Sequence, residues 1–173
     1  MRKILVVIDM QKDFIDGALG TEEAIGIVDN VVNKIKLYPI ENVYATRDTH
    51  NENYMKTNEG RHLPVVHCVK NTEGWRINER IAETLGNAKI IDKPTFGSLE
   101  LAEILKAENE REEIEIELVG LCTDICVVSN ALLLKANMPE INIRVDSKCC
   151  AGVTPESHNS ALETMKMCQI EII

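Results

Sequence analysis

Residues able to do chemistry fall in three groups along this chain of 173 residues. The first centres on Cys126 in the stretch Leu118-Val-Gly-Leu-Cys-Thr-Asp-Ile-Cys-Val-Val128. Glu115–Val119 alternates as a strand does, Gly120 breaks the run, and Thr123-Asp124 offers an N-cap and a first-turn acid for a helix. That spacing predicts Cys126 in the first helical turn beyond a buried strand. Free backbone N–H groups and the helix dipole there lower a thiol's pKa and can hold an oxyanion. A cysteine hydrolase also needs a group to exchange the thiol proton and a group to orient that partner. Asp9, directly after the apolar run Lys3–Ile8, can serve as base and then as acid. Lys93, just past Lys89–Ile91, can hold Asp9 and stabilise negative charge.

The second group is Asp48-Thr49-His50 with His67. Residues two apart on an extended segment point the same way, so Asp48 and His50 can share one ion. His67 adds an imidazole and Glu59, in the intervening segment, an oxygen. Mixed nitrogen and oxygen ligation suits one divalent ion, zinc, manganese or iron, and the residue types do not choose among them; zinc is the expectation taken forward. The third group is Phe14 and Trp75, in a chain whose aromatics make up only 3% of residues. Either can wall a flat substrate, and Phe14 lies on the segment that follows Asp9.

The elements that must position these groups alternate. Lys3–Ile8 has the continuous aliphatic pattern of a strand buried on both faces. Glu22–Lys36 carries a helical apolar stripe that Pro39 stops. A strand over Asn42–Thr46 follows. Asn51–Leu63 is polar and without period, a long surface loop of the kind that often carries function, and Val65–Val69 is a short strand or an apolar anchor. A helix over Glu79–Leu85, the strand Lys89–Ile91 and a Ser98-capped helix over Leu99–Lys106 come next, then an acidic turn at Glu108–Glu113. A helix from about Asp124 to Ala136, a strand Ile141–Val145 ended by Asp146, a helix from Pro155 to about Met167 and a strand Gln169–Ile173 complete the chain. With no composition break or repeat, residues 1–173 read as one α/β domain whose mostly parallel sheet has helices on both faces. Ligands in such sheets sit beyond the carboxyl ends of the strands, where Asp9, Asp48, His50, Lys93, Thr123–Cys126 and Asp146 are all expected to converge.

Hydrophobic residues at 45% and charged residues at 27% are an ordinary globular composition. A net charge of −9 with no basic cluster argues against a nucleic-acid or anionic-membrane partner. The apolar run Ile4–Ile8 is too short for a signal-peptide core and Asp9 closes it, so the expected location is the cytoplasm. Cys68, Cys122, Cys126, Cys149, Cys150 and Cys168 then read as reduced thiols.

Taken in order, Asp9-Met-Gln-Lys-Asp-Phe14, Thr46-Arg-Asp-Thr-His50, Pro64-Val-Val-His-Cys-Val69, Lys93 and Gly120-Leu-Cys-Thr-Asp-Ile-Cys126 resemble the isochorismatase-like cysteine hydrolases. Within them, the set is most similar to the nicotinamidases. The resemblance spans nearly the whole chain. It implies a three-layer, Rossmann-like fold with a parallel sheet of about six strands, and an Asp–Lys–Cys triad at Asp9, Lys93 and Cys126. It implies thioester chemistry on a small amide with release of ammonia. Nicotinamide is the leading substrate, with another small amide or a carbamoyl compound as the alternative and a non-catalytic fold relative as a third reading. Further implications are metal ligands at Asp48, His50, His67 and Glu59, a cis peptide at Leu121–Cys122 that joins the N–H groups of Cys122 and Cys126 in an oxyanion hole, and a homo-oligomer. The chain departs from many nicotinamidases at Pro64, where they have Trp, and at Asn51-Glu-Asn-Tyr54, where they carry a further His.

Overall fold

The apolar run near the N-terminus becomes the central strand β1 (Arg2–Ile8). Ile4, Val6 and Ile8 pack into one helical layer, Leu5 and Val7 into the other. A strand apolar on both faces finds its place only in the middle of a covered sheet. The computed structural model describes residues 1–173 and builds that sheet from six strands, all parallel, in the order β3-β2-β1-β4-β5-β6. The others are β2 (Val43–Asp48), β3 (Lys89–Lys93), β4 (Ile114–Leu121), β5 (Asn142–Ala151) and β6 (Glu171–Ile172). The helices α1 (Lys12–Ile15), α2 (Glu22–Gly26), α3 (Val28–Ile35) and α5 (Glu79–Leu85) bury apolar side chains on the Leu5–Val7 face. The helices α6 (Leu99–Arg111), α7 (Val128–Asn137) and α8 (Pro155–Met167) cover the opposite face. A short α4 (Asn58–His62) stands beyond the sheet's carboxyl edge.

Strand order reverses between β1 and β4, so the crevice beyond their carboxyl ends is the topological switch point. Gly120 lets the two strands close there: its φ is +119°, and a Cβ would lie 2.1 Å from the Ile8 carbonyl oxygen. It therefore bends β4 without ending it, and the strand continues to Leu121.

Several expected boundaries move, four of them with a clear physical reason. The helix expected over Glu22–Lys36 divides at Ile27, so that Ala24 and the Val28–Ile35 stripe both reach the sheet. The acidic turn expected at Glu108–Glu113 is helical as far as Arg111, where α6 ends, with Glu108 and the C-cap Glu112 both paired to Arg2. Val65–Val69 is an anchor rather than a strand, joined to His50 by a single bridge. Asp146 does not end β5, which runs on to Ala151, and it lies mid-strand against Lys34 instead of at the functional edge. No helix is long and apolar enough to cross a membrane.

Candidate active site and metal site

The register of the sheet sets the site. Lys93 pairs with Asp48 across β3 and β2, and Asp9 follows Ile8, which pairs with Gly120. Asp9 takes a left-handed φ of 47°, a conformation that short polar residues tolerate and that clusters at functional positions. Thr46 fixes its carboxylate, donating from Oγ1 to Oδ1 at 2.6 Å. Lys93 Nζ lies 2.7 Å from Asp9 Oδ2 and 3.5 Å from Asp48 Oδ1, and donates to Cys126 Sγ at 3.4 Å and to the Thr95 carbonyl at 3.1 Å. Asp9 is fully buried, Lys93 is 1% exposed and Cys126 4%. Asp9, Lys93 and Cys126 thus meet as the sequence predicts.

The turn that carries Cys126 differs from the expected one. Thr123 is not an N-cap. Residues Thr123–Val127 make a π-helical turn in which the Ile125 and Val127 N–H groups both donate to the Cys122 carbonyl, at 3.1 and 3.0 Å. The Thr123 hydroxyl instead bonds His158 Nδ1 at 2.8 Å, and Asp124 accepts from the Val153 N–H. Such wide turns recur at functional sites. The Leu121–Cys122 peptide is cis.

Nor is the Cys126 thiol acidified at rest. Burial first, then repulsion from the Asp9 carboxylate, push its pKa well above the ordinary value, and Lys93 offsets only part of this. Burial also raises Asp9, reinforced by Asp48 and opposed by Lys93. Burial works against the Lys93 charge, but Asp9, Cys126 and Asp48 outweigh it and keep Lys93 protonated. The resting site holds a neutral thiol beside a basic carboxylate and a fixed ammonium.

Next to this triad, Asp48, His50, Glu59 and His67 present one donor atom each, all within 4.8 Å of one another. His50 Nε2 is 2.9 Å from Asp48 Oδ2 and 3.6 Å from Glu59 Oε1; His67 Nε2 is 3.7 and 3.6 Å from the same two atoms. An ion with bonds of about 2.0–2.2 Å holds its ligand atoms roughly 3–3.5 Å apart, so this spacing fits one first-row metal. The fit has a second support. His50 Nε2 is buried and makes no aligned hydrogen bond, even to Asp48 Oδ2 at 2.9 Å. His67 has its other nitrogen, Nδ1, against the Val65 carbonyl at 2.8 Å, which aims Nε2 at the cluster. Tyr54 sets its ring edge-on to both imidazoles, with centroids 4.7 and 4.9 Å away, and Phe14 closes on His67 at 5.5 Å. Burial opposes a charge on His67, but Asp48 and Glu59 overcome it and raise its pKa to about 10, the mark of a donor set that attracts a cation.

Glu59 arrives on α4, a five-residue helix inside the segment expected as a featureless loop. Thr57 caps it, accepting from the Gly60 N–H at 3.0 Å. One helical turn is too short to show a period, which is why sequence patterning missed it.

Both groups open on one cavity of about 720 Å³. Phe14, Leu19, Leu63, Phe96, Ile125 and Val153 give it apolar walls, with Asp48, His50, Glu59, His67, Cys122 and Cys126 at its polar end. Trp75, expected as an alternative wall, does not reach it. Its indole N–H donates to Thr49 Oγ1 at 2.9 Å and the Arg47 guanidinium stacks 3.8 Å from its ring, so its surface is already used. Sequence reasoning missed Phe96, one of only two phenylalanines, which stands just past the strand that delivers Lys93. Scarcity of aromatics and that strand-end position were the available signal.

The Isochorismatase domain family model matches residues 3–173. The chain is 25% identical to the nicotinamidase of Schizosaccharomyces pombe, over 98% of this chain and 91% of that one. Among solved structures it is similar to the nicotinamidase/pyrazinamidase PncA from Bacillus subtilis, at 29% identity, 99% coverage of each chain and a TM-score of 0.83. It is also similar to the pyrazinamidase of Pyrococcus horikoshii in complex with zinc, at 29% identity, 100% and 99% coverage and a TM-score of 0.79. With the whole sheet, the switch-point crevice and the family model in agreement, the chain belongs to the isochorismatase family.

Proposed function

We propose that this chain is a metal-containing cysteine amidohydrolase that converts nicotinamide to nicotinate and ammonia. The observation that carries this reading is the Asp9–Lys93–Cys126 contact at the end of a cavity whose wall also presents four clustered metal donors. Burial keeps the Cys126 proton on sulfur, and the raised pKa of Asp9 makes it a base able to take that proton as sulfur attacks the amide carbon. The carbonyl electron pair moves to oxygen, which the N–H groups of Cys122 and Cys126 receive. Asp9 then passes the proton to the amide nitrogen, the C–N bond breaks, and ammonia leaves a thioester on Cys126. Water adds to the thioester and gives a proton to Asp9, which returns it to sulfur as the acid departs. Lys93 holds Asp9 in position throughout and balances the charge that develops.

Asp48, His50, Glu59 and His67 hold one divalent ion, and zinc is the proposed metal because the similar Pyrococcus horikoshii pyrazinamidase binds it. When bound, the ion offers a Lewis-acid contact to a substrate ring nitrogen or to water. Phe14 forms the flat wall for the ring. No arginine or lysine lines the cavity, whereas Asp48 and Glu59 do. Asp48 and Glu59 already balance the charge of the proposed divalent ion, so a free carboxylate on the substrate would find no counter-charge left, and an uncharged amide is favoured over a carbamoyl acid. Steady-state assays with nicotinamide, pyrazinamide and an N-carbamoyl amino acid test this. The neutral amides should lead in kcat/KM by roughly 100-fold or more; a preference for the carbamoyl acid would move the assignment to that class. The proposal includes a cytoplasmic homo-oligomer; light scattering reads the oligomeric state directly.

A further inference from the structure

Between Asp9 and Phe14, the side chains of Gln11 and Asp13 stay out of the cavity but hold the backbone of Asp48, which lines it, and of Cys68, the neighbour of His67. Gln11 is completely buried. Its Oε1 accepts from the Asp48 N–H at 2.7 Å while its Nε2 donates to the Asp48 carbonyl at 2.8 Å and to the Trp75 carbonyl at 2.9 Å. One carboxamide therefore closes on both sides of the Asp48 backbone. Two residues on, Asp13 Oδ2 accepts from the Cys68 N–H at 2.7 Å, and its Oδ1 accepts from Ala18 N–H at 3.3 Å. Cys68 directly follows His67 and sits at a φ of 46°, a left-handed conformation that a cysteine does not favour unaided. The Asp13 carboxylate lies across Gly74, where a Cβ would be 2.1 Å from Oδ2.

We infer that Gln11 and Asp13 are positioning residues for the metal site: Gln11 fixes Asp48 and Asp13 fixes His67 through Cys68. This rests on the reading that Asp48, His50, Glu59 and His67 hold a metal. Because the same segment carries Asp9 at one end and Phe14 at the other, it sets the acid–base carboxylate, the substrate wall and two metal ligands in one frame. Neither residue touches the cavity or the donor atoms themselves. Groups that orient ligands from behind typically change metal affinity 10–100-fold when altered.

The test is zinc affinity, by chelator competition on the purified full chain, together with the visible spectrum of the cobalt(II)-substituted protein. Three variants are compared with wild type: Asp13→Asn, Gln11→Glu and Gly74→Ala. The last adds a methyl group that must expel the Asp13 carboxylate while leaving every hydrogen-bonding side chain in the sequence. Each should weaken zinc binding about 10–100-fold and change the cobalt ligand-field bands, in metal-free protein that still unfolds cooperatively. Variants that fold and bind zinc as wild type does would overturn the inference. Failure of all three to fold would overturn it too, by making the pair general scaffold. Absence of zinc and cobalt binding in wild type would instead remove the metal reading beneath it.

Discussion

Two clusters of buried charge share this sheet, and they do different things. One lies mid-sheet beneath α3, where Lys34 Nζ is 2.7 Å from both Glu117 Oε1 and Asp146 Oδ2. Arg144 reaches Glu117 at 3.1 Å and Glu115 at 3.4 Å, Lys3 pairs with Glu115 at 3.2 Å, and the Tyr38 hydroxyl donates to Glu117 at 2.9 Å. Three carboxylates there face three cations. The other cluster lies at the carboxyl edge, where Asp9, Asp48 and Glu59 gather with Lys93 as the one side chain of fixed positive charge. With the imidazoles of His50 and His67 neutral, as metal ligation requires, that cluster lacks two positive charges, the charge of one divalent ion. It also holds a thiol, a buried imidazole nitrogen with no aligned hydrogen bond, and an open cavity. Buried charge alone marks no site. Imbalance at the strand ends does.

The sharpest way to break this contrast is at Asp9. Asp9→Asn should cut kcat by about 10²–10⁴-fold while the protein still folds, because the amide cannot carry the thiol proton. In wild type the active form has Asp9 ionised, and its pKa is raised above the ordinary 3.8, so the rate should fall on acidification within a range higher than an exposed aspartate would give. A pH–rate profile with its acid limb below 3.8 would contradict the burial argument. Removing metal with a chelator should lower activity by roughly 10-fold or more, restored by zinc, and should leave the mid-sheet cluster untouched.

The mid-sheet cluster predicts the opposite pattern. Lys34→Met should leave kcat/KM within about twofold and cost about 1–3 kcal/mol of stability, since it strands two largely buried carboxylates. For a chain of this size that is a fall of roughly 3–10 °C in Tm. The sign follows from the shifts. Asp146 is held below 3.8, so its contribution is present above that value and fades as pH falls; Lys34 is held above 10.5, so its contribution fades as pH rises past that value. The difference between wild type and variant should be greatest between those limits.

Much of this was legible because strand ends are written in residue type. Lys3–Ile8 could only be a strand buried for most of its length, and Asp9, Asp48, Lys93 and Cys126 each fall at or just beyond the carboxyl end of a strand, so topology alone brings them together. Asp146 shows the limit. It also follows an apolar run, but β5 continues six residues past Val145, from Asp146 to Ala151, and Lys34 claims its carboxylate. Nothing local distinguishes an aspartate that ends a strand from one that a lysine on a distant helix neutralises. The thiol's pKa was misread for a related reason. A helix N-terminus is visible in sequence, whereas burial of Cys126 by neighbours from other strands is not.

The most direct measurement is ammonia release from nicotinamide by zinc-loaded protein, beside Cys126→Ala. Turnover by wild type, reduced by roughly 10⁴-fold or more in the variant, is the expected result. Equal release by both would contradict the account, because the cavity would then be hydrolysing amides without its thiol.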